Sequence, residues 1–279
     1  MKLSLTLSVI LVLAIINHNC AQSETLFNGV ELQDSFQSAK AKMEPFAEKL
    51  EIFEIENPTF PLSKNLETHL VLQNYKSGYD TISELVFTFA DDKLVYIQAF
   101  GNAVESITAK RKDTAQTYMS YEFYPNDGIV TKPSEDKVWI LSKEAMHPNL
   151  FTWDNPYLPS NRELKKAHNP SARIPDFIKM GGNLEQLKPN LESESVFTTS
   201  MELDGSDPNA QLQIDCFGVE YGGFPRKFEA RFGDGKLNVL WILTGKGEED
   251  RIRQKLISEY GPVIFKDDTW EVFNNWQVI

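Results

Sequence analysis

Apolar and polar residues alternate with a period of two just before a glycine-rich turn in the last third of the chain. In KFEARF, the residues Phe228, Ala230 and Phe232 alternate with charged residues, which is the pattern of a strand with one buried face. The turn Gly233-Asp234-Gly235 supplies residues that tolerate the positive φ angles of a two-residue hairpin. The pattern therefore predicts a β-hairpin whose second strand is KLNVLWIL.

Both faces of that second strand are apolar. One face consists of Leu237, Val239, Trp241 and Leu243. The other face carries Leu240 and Ile242. A strand that is apolar on both faces is typical of a sheet interior, so we predict that this strand is central in its sheet.

The same turn and strand pattern occurs 143 residues earlier, where Phe89 matches Phe232. The strand ELVFTF places Leu85, Phe87 and Phe89 on one face, and the turn Asp91-Asp92 leads into KLVYIQAF. Upstream, THLVLQNY matches QLQIDCFG at the same offset. These matches predict an internal repeat.

Helical patterns accompany both hairpins. The predicted helices are one marked by Leu32, Phe36, Ala39 and Met43, one over Ala103–Thr117, the segment NLEQLKPNL interrupted by Pro189, and EEDRIRQKLISEY, which ends at Gly261. After the second of these helices we expect the strands YMSYEFY and KVWILS. A final hairpin is predicted across Lys266 to Thr269.

These elements predict an α+β fold of two tandem repeat lobes, each a mainly antiparallel β-sheet with helices packed on one face. We expect a signal peptide over residues 1–21, an N-terminal lobe over 22–146 and a C-terminal lobe over 176–279. The segment 147–175 between the lobes contains five prolines and little periodicity, so it is predicted to be a linker.

The first residues of the chain have the composition of a secretory signal. An uncharged apolar run from Leu3 to Ile16 is shorter than the roughly 20 residues of a membrane span, and it follows a single lysine. Cleavage after Ala21 predicts a secreted or periplasmic protein. The alternative is a lipoprotein acylated at Cys20, although Asn17, His18 and Asn19 differ from the small residues of a lipobox.

Charge limits the partners. The chain has 40 acidic and 28 basic residues and a formal net charge of −12, which repels nucleic acid and anionic membrane surfaces. No apolar run after the signal is long enough to span a membrane, so we expect no transmembrane segment. The predicted partner is an unknown protein or a small ligand.

Metal and cofactor motifs are absent from the sequence, so we expect no cofactor and no metal site. His69, His147 and His168 stand at no metal-binding spacing, and each is predicted to be a surface or capping histidine. The segment DGSDPNAQLQID superficially resembles a calcium loop. Its spacing fails at Pro208, and Asx turns explain its acidic residues without an ion.

Cys216 is a candidate nucleophile only if its thiol is exposed near a base. The alternation in QLQIDCFG instead puts it beside Leu212 and Ile214 on the apolar face, which predicts a buried and inert thiol.

Three aromatic residues in the linker are the candidate binding residues: Phe151, Trp153 and Tyr157. Aromatic side chains are costly to leave in a solvated loop. We expect them to fill a seam between the lobes; the alternative is an exposed recognition surface for a sugar or a protein.

The absence of a catalytic constellation favours an exported, non-catalytic binding protein that acts through two lobes, for example an inhibitor or an envelope accessory protein. The alternative is a cell-envelope hydrolase that acts on glycan, with Asp154, His147 and the linker aromatics near its site.

Export is expected to remove the signal after Ala21 and to leave Gln22 as an unlipidated N-terminus. N-terminal sequencing and the intact mass of the exported protein test this cleavage. Recovery of a product that begins at an acylated Cys20 would contradict it.

Overall fold

The computed structural model describes residues 27–77, 80–109, 114–164, 169–274 and 277–279, and the predicted signal peptide and Cys20 lie outside these ranges. The described chain forms two compact units. The first contains the residues up to His147 together with 154–164, and the second contains 148–153 and the residues from 169 onwards. Both are mostly antiparallel β-sheet with few helices, so the predicted α+β class is confirmed at that level.

Among its described residues, the first unit contains two helices and eight strands, and its 3₁₀ turns include Pro159–Leu164. They are α1 (Phe36–Met43), β1 (Lys49–Ile55), β2 (Glu67–Ser77), β3 (Asp80–Ala90), β4 (Lys93–Phe100), α2 (Ala103–Thr108), β5 (Gln116–Tyr118), β6 (Tyr121–Tyr124), β7 (Ile129–Lys132) and β8 (Lys137–Leu141). The strands form one antiparallel sheet in the order β1-β2-β3-β4-β8-β7-β6-β5.

The described part of the second unit contains three helices and six strands. They are α3 (Pro148–Phe151), α4 (Leu184–Ser193), β9 (Phe197–Glu202), β10 (Leu212–Tyr221), β11 (Phe224–Gly233), β12 (Lys236–Leu243), α5 (Glu249–Tyr260), β13 (Phe265–Lys266) and β14 (Glu271–Val272). A four-stranded sheet has the order β12-β11-β10-β9, and β13 and β14 form a separate hairpin.

Each unit has its own apolar core on one face of its sheet. In the first unit, α1 and α2 contribute Ala39, Met43, Ala103 and Ile107 to a core that includes the predicted face of β3: Leu85, Phe87 and Phe89. In the second unit, Leu187 and Leu191 of α4 pack with Cys216 of β10 and with the predicted face of β11: Phe228, Ala230 and Phe232. Helices therefore cover one face of each main sheet. No helix among the described residues has the length and apolar character to cross a membrane.

The hairpins β3–β4 and β11–β12 have the same turn. Asp91 and Asp92 have φ angles of 48° and 66°, and Asp234 and Gly235 have φ angles of 50° and 71°. Two successive positive φ values are the geometry of the type I′ turn, which matches the twist of the strands it joins.

The two hairpins also share a one-residue bulge. The register changes between the pairs Phe89–Leu94 and Thr88–Tyr96 in the first hairpin, and between Phe232–Leu237 and Arg231–Val239 in the second. All four residues of the second set lie 143 positions after those of the first. The bulge therefore occupies matching positions.

A third shared feature lies on the outer edge just after each turn. The Leu94 N–H donates to the carbonyl of Asp34 (2.9 Å), and the Leu94 carbonyl accepts from the N–H of Gln33 (2.7 Å). The Leu237 N–H donates to the carbonyl of Gly182 (3.0 Å), and the Leu237 carbonyl accepts from the N–H of Gly181 (2.8 Å). In both units a short segment before the helix thus covers the start of the hairpin's second strand.

One prediction about this hairpin is wrong. The strand β12 was expected to be central, but within the described residues it lies at one end of its sheet. Its two apolar faces therefore do not reflect burial between two strands, and Trp241 is 40% exposed.

Three helix and strand boundaries also differ from the predictions. The helix predicted over 103–117 ends at Thr108, and Gln116–Tyr118 is a strand. The predicted strand YMSYEFY is divided, because the turn at Met119 (φ 54°) lets β5 pair back on β6. Helix α4 continues through Pro189, whose missing N–H removes one bond within the helix without ending it.

Cys216 is fully buried, as predicted, and it lies opposite Phe228 in the ladder of β10 and β11. Burial raises the pKa of the thiol to about 11. We expect Cys216→Ser to lower the free energy of unfolding by about 1–3 kcal/mol, because the serine hydroxyl enters an apolar core.

Denaturant unfolding of the variant beside the parent measures this loss. Rapid modification of the native thiol by a bulky reagent would contradict the burial of Cys216.

Candidate functional site

The three predicted binding residues belong to different units. Phe151 and Trp153 lie in the second unit, whereas Tyr157 lies in the first. The Phe151 ring centroid is 6.1 Å from that of Phe217. Trp153 is buried, and its ring centroid lies 5.2 Å from that of Phe224. Both residues therefore contact the sheet of their own unit.

Tyr157 is half-buried against the first unit's sheet, on the face opposite the helices. Its ring stacks on the His69 imidazole with 4.1 Å between centroids, and the Phe53 ring is 5.0 Å away. Burial, together with the negative charge of Glu67, raises the pKa of the Tyr157 hydroxyl to about 12. Tyr157 is therefore a neutral phenol at physiological pH.

A buried polar network lies beneath Tyr157. The His69 ring is 0% exposed, with its Nε2 2.7 Å from Glu67 Oε1 and its Nδ1 3.0 Å from Thr88 Oγ1. The second carboxylate oxygen of Glu67 accepts the backbone N–H groups of Thr59 (2.9 Å) and Phe60 (3.0 Å). The expectation that His69 is a surface or capping histidine is wrong.

The network has a defined protonation state. Burial lowers the pKa of His69 below its ordinary value of 6.5, against the opposing effect of Glu67, so the ring is neutral. Burial alone would raise the pKa of Glu67, but the hydrogen bonds it accepts lower it below 4.5, so its carboxylate is ionised. His69 Nε2 therefore carries the proton and donates to Glu67, and Nδ1 accepts from the Thr88 hydroxyl.

Asn155 closes this network from the segment that carries Tyr157. Its Nδ2 donates to Thr88 Oγ1 (3.2 Å), and its backbone N–H donates to Gln98 Oε1 (3.1 Å). Its Oδ1 accepts the backbone N–H of Tyr157 (2.9 Å). The hydroxyl, imidazole and carboxylate have the order of a hydrolytic triad, but the hydroxyl is enclosed and already bonded. The network fixes residues 155–157 to the sheet.

The corresponding sheet face of the second unit carries a charged network. Lys227 Nζ lies 2.9 Å from Glu229 Oε1 and 3.1 Å from Asp215 Oδ2. Desolvation alone would lower the pKa of Lys227, but these two carboxylates outweigh it and raise the pKa above 10.5. Arg231 Nε donates to Gln213 Oε1 (2.9 Å). Charges of both signs are thus paired across β10 and β11.

Two exposed tryptophans adjoin this charged network. The Arg231 guanidinium lies 5.8 Å from the centre of the Trp241 ring. The Trp241 and Trp270 ring centroids are 6.3 Å apart, and these residues are 40% and 44% exposed. We call Trp241, Trp270 and Arg231 the tryptophan surface. The sequence did not predict this surface, because β12 was expected to lie in a sheet interior.

A buried ion pair orders the chain where β12 leads into α5. Both Arg226 and Glu248 are buried, and the guanidinium of Arg226 bonds both carboxylate oxygens of Glu248. Glu248 also accepts the backbone N–H of Gly245 and a hydrogen bond from Arg251 (3.1 Å). These bonds fix the exit from β12.

Within the described ranges, no group of three or more His, Cys, Asp or Glu side chains is arranged to hold a metal ion. The acidic segment near Asp204 forms the Asx turns that were predicted. Asp204 Oδ1 accepts the N–H of Ser206 (2.9 Å), and Asp207 Oδ1 accepts the N–H of Asn209 (2.9 Å). His168 lies outside the described residues.

No protein-family model, curated protein or solved structure matches the chain. The function is therefore inferred from the geometry of the sites.

The buried His69 makes stability depend on pH. Its folded-state pKa is lowered, so the unfolded chain binds the proton more tightly, and stability is expected to fall as the pH drops below about 6.5. Thermal unfolding measured from about pH 8 to about pH 5, a range that spans the ordinary histidine pKa, gives this slope.

His69→Gln retains a donor and an acceptor without the titration, so it should unfold with a shallower slope than the parent. Identical slopes in the two proteins would contradict the assignment of a neutral buried imidazole.

Proposed function

We propose that this protein is an exported, non-catalytic binding protein built from two copies of one α+β unit, and that its ligand is a neutral glycan bound at the tryptophan surface. The observation that carries the proposal is the exposed pair Trp241 and Trp270 beside a charge-paired sheet face. Exposed apolar patches on a protein surface often mark interaction sites, and aromatic side chains are enriched at such sites.

Three internal matches support two copies of one unit. The two hairpins share a turn with two positive φ values and a bulge at positions 143 residues apart. In each hairpin, a leucine after the turn (Leu94 or Leu237) also makes two backbone hydrogen bonds to the segment before a helix. A bulge is a local interruption of the ladder, so its occurrence at matching positions favours a common unit over two unrelated hairpins.

The enclosed nucleophiles favour binding over catalysis. The hydroxyl of Thr88 is held between His69 and Asn155, and the thiol of Cys216 is buried with a raised pKa. A nucleophile has to reach its substrate, and neither of these groups is exposed.

The glycan hydrolase with Asp154 and His147 near its site has less support. The Asp154 carboxylate bonds Lys137 Nζ at 2.8 Å. This carboxylate is therefore already paired with Lys137, whereas a catalytic acid has to reach its substrate. A role for Phe151, Trp153 and Tyr157 as binding residues stays a prediction.

A glycan suits the tryptophan surface because the flat apolar face of a sugar ring can stack on an indole while its hydroxyl groups bond nearby side chains. Arg231 and Glu229 supply a donor and an acceptor beside Trp241. A neutral polymer also avoids repulsion from a chain with a formal net charge of −12.

Titration of the purified protein with cellohexaose and with chitohexaose, followed by tryptophan fluorescence and by an assay for new reducing ends, tests this function. We expect saturable binding of one of them without new reducing ends. Trp241→Ala should weaken binding at least about tenfold and lower the melting temperature less than Trp153→Ala does, because its side chain is the more exposed of the two.

Trp153→Ala is the matched control. It removes a buried indole at a cost of about 3–5 kcal/mol, so it should lower the melting temperature. Release of reducing ends would instead support a hydrolase, no binding of either sugar would contradict the glycan class, and unchanged binding by Trp241→Ala would contradict the tryptophan surface.

A further inference from the structure

The strand β12 has the composition of an interior strand but lies at a sheet edge. After its first residue, Lys236, the strand and the two residues that follow it read LNVLWILTG and carry no charge and no proline. Sheet edges are ordinarily protected from pairing with another chain by charged residues, proline or short length. The described end strands of the other sheet follow this rule, since β1 carries Lys49, Glu51 and Glu54 and β5 has only three residues.

The outer side of β12 has backbone groups available for a further strand. Leu237 bonds Gly181 and Gly182 on this side. Beyond the bulge, the alternation of an antiparallel ladder directs the backbone groups of Leu240 and Ile242 to the same side. Apart from an isolated antiparallel bridge between Asn183 and Lys236, no pairing occupies this side of β12 within the described residues.

In the first unit, the strand that corresponds to β12 is β4, and it has a partner on its outer side. Residues of β4 lie 143 positions before those of β12, and β4 pairs antiparallel with β8 through Ile97–Ile140, Gln98–Trp139 and Ala99–Val138. The residues of β12 at these three β4 positions are Leu240, Trp241 and Ile242. The match between β12 and β4 therefore favours an antiparallel partner that resembles β8.

The sequence of β12 itself meets this requirement. Residues 138–141 of β8 read VWIL, and residues 240–243 of β12 read LWIL. A second copy of β12 set in the place of β8 would put Trp241 opposite Trp241 of that copy. The same register would put Leu240 opposite Ile242 of that copy. This register is symmetric about Trp241, as a two-fold axis requires.

We propose that two copies of this protein associate through antiparallel pairing of β12 with β12, centred on Trp241. The pairing joins two four-stranded sheets into one continuous sheet across the dimer. It needs no charged contact, so the absence of charge from Leu237 to Gly245 is what allows two like-charged chains to meet at this edge. The inference goes beyond glycan binding, but it rests on the proposed likeness of the two units, and the sedimentation test below needs no glycan.

Sedimentation equilibrium of the purified protein, with native mass spectrometry, tests the dimer. The parent is expected to be dimeric at micromolar concentration. Trp241→Lys and Trp241→Glu each put like charges opposite one another on the axis, so each variant alone should raise the dissociation constant at least about tenfold.

An equal mixture of Trp241→Lys and Trp241→Glu should restore a mixed dimer, because opposite charges then face each other. This rescue separates a lost interface from a misfolded chain. Ile52→Lys is the matched control, since Ile52 is a 40% exposed apolar residue on the edge strand β1, and it should leave the dimer unchanged.

A parent protein that is monomeric at high micromolar concentration would overturn the proposal. So would variants that remain dimeric at parental affinity, or a mixture in which dimers do not return.

Discussion

The backbone of a β-strand has hydrogen-bonding groups on both sides, and the last strand of a sheet has a partner on only one of them. The structure of this protein depends on how each sheet satisfies that constraint. In the first unit, β8 continues the sheet beyond β4, and the strands β7, β6 and β5 extend it to a strand of three residues. In the described part of the second unit, β12, which corresponds to β4 in sequence, is the last strand of its sheet.

Burial of the hairpin follows from this difference. In β4 the residues Leu94–Ala99 are all buried, and from Tyr96 onwards a strand lies on each side of them. In β12, Leu237 is buried whereas Leu240 and Ile242 are only partly buried. The similar strands β4 and β12 thus differ in exposure, and the tryptophan surface results from the greater exposure of β12.

The polar groups on the sheet face opposite the helices have different surroundings in the two units. His69, Thr88 and Glu67 are enclosed and joined to Asn155, so their hydrogen bonds contribute to the stability of the fold. Lys227, Glu229 and Asp215 form ion pairs beside an exposed indole. The enclosed first network favours a structural role, whereas the exposed indole beside the second network favours recognition.

Local sequence patterns predicted the hairpins well, because turn residues and alternation act over a few residues. The turns at Asp91-Asp92 and Asp234-Gly235 and the buried faces of β3 and β11 are as expected. The buried position of His69 was not predicted, because it depends on Thr88 in the next strand and on Asn155, 86 residues further along the chain.

The position of β12 was also predicted incorrectly, since alternation reports how apolar a strand is and not how many neighbours it has. If the proposed pairing is formed, the prediction of an interior strand applies to the dimer. The apolar character of β12 would then be explained by a partner from a second copy.

Amide hydrogen exchange at Leu240 and Ile242, measured residue by residue over a range of protein concentrations, tests the account most directly. The account predicts slow exchange at high concentration and faster exchange on dilution, because the amides of Leu240 and Ile242 are bonded only in the proposed dimer. Fast exchange of both amides at every concentration would contradict it.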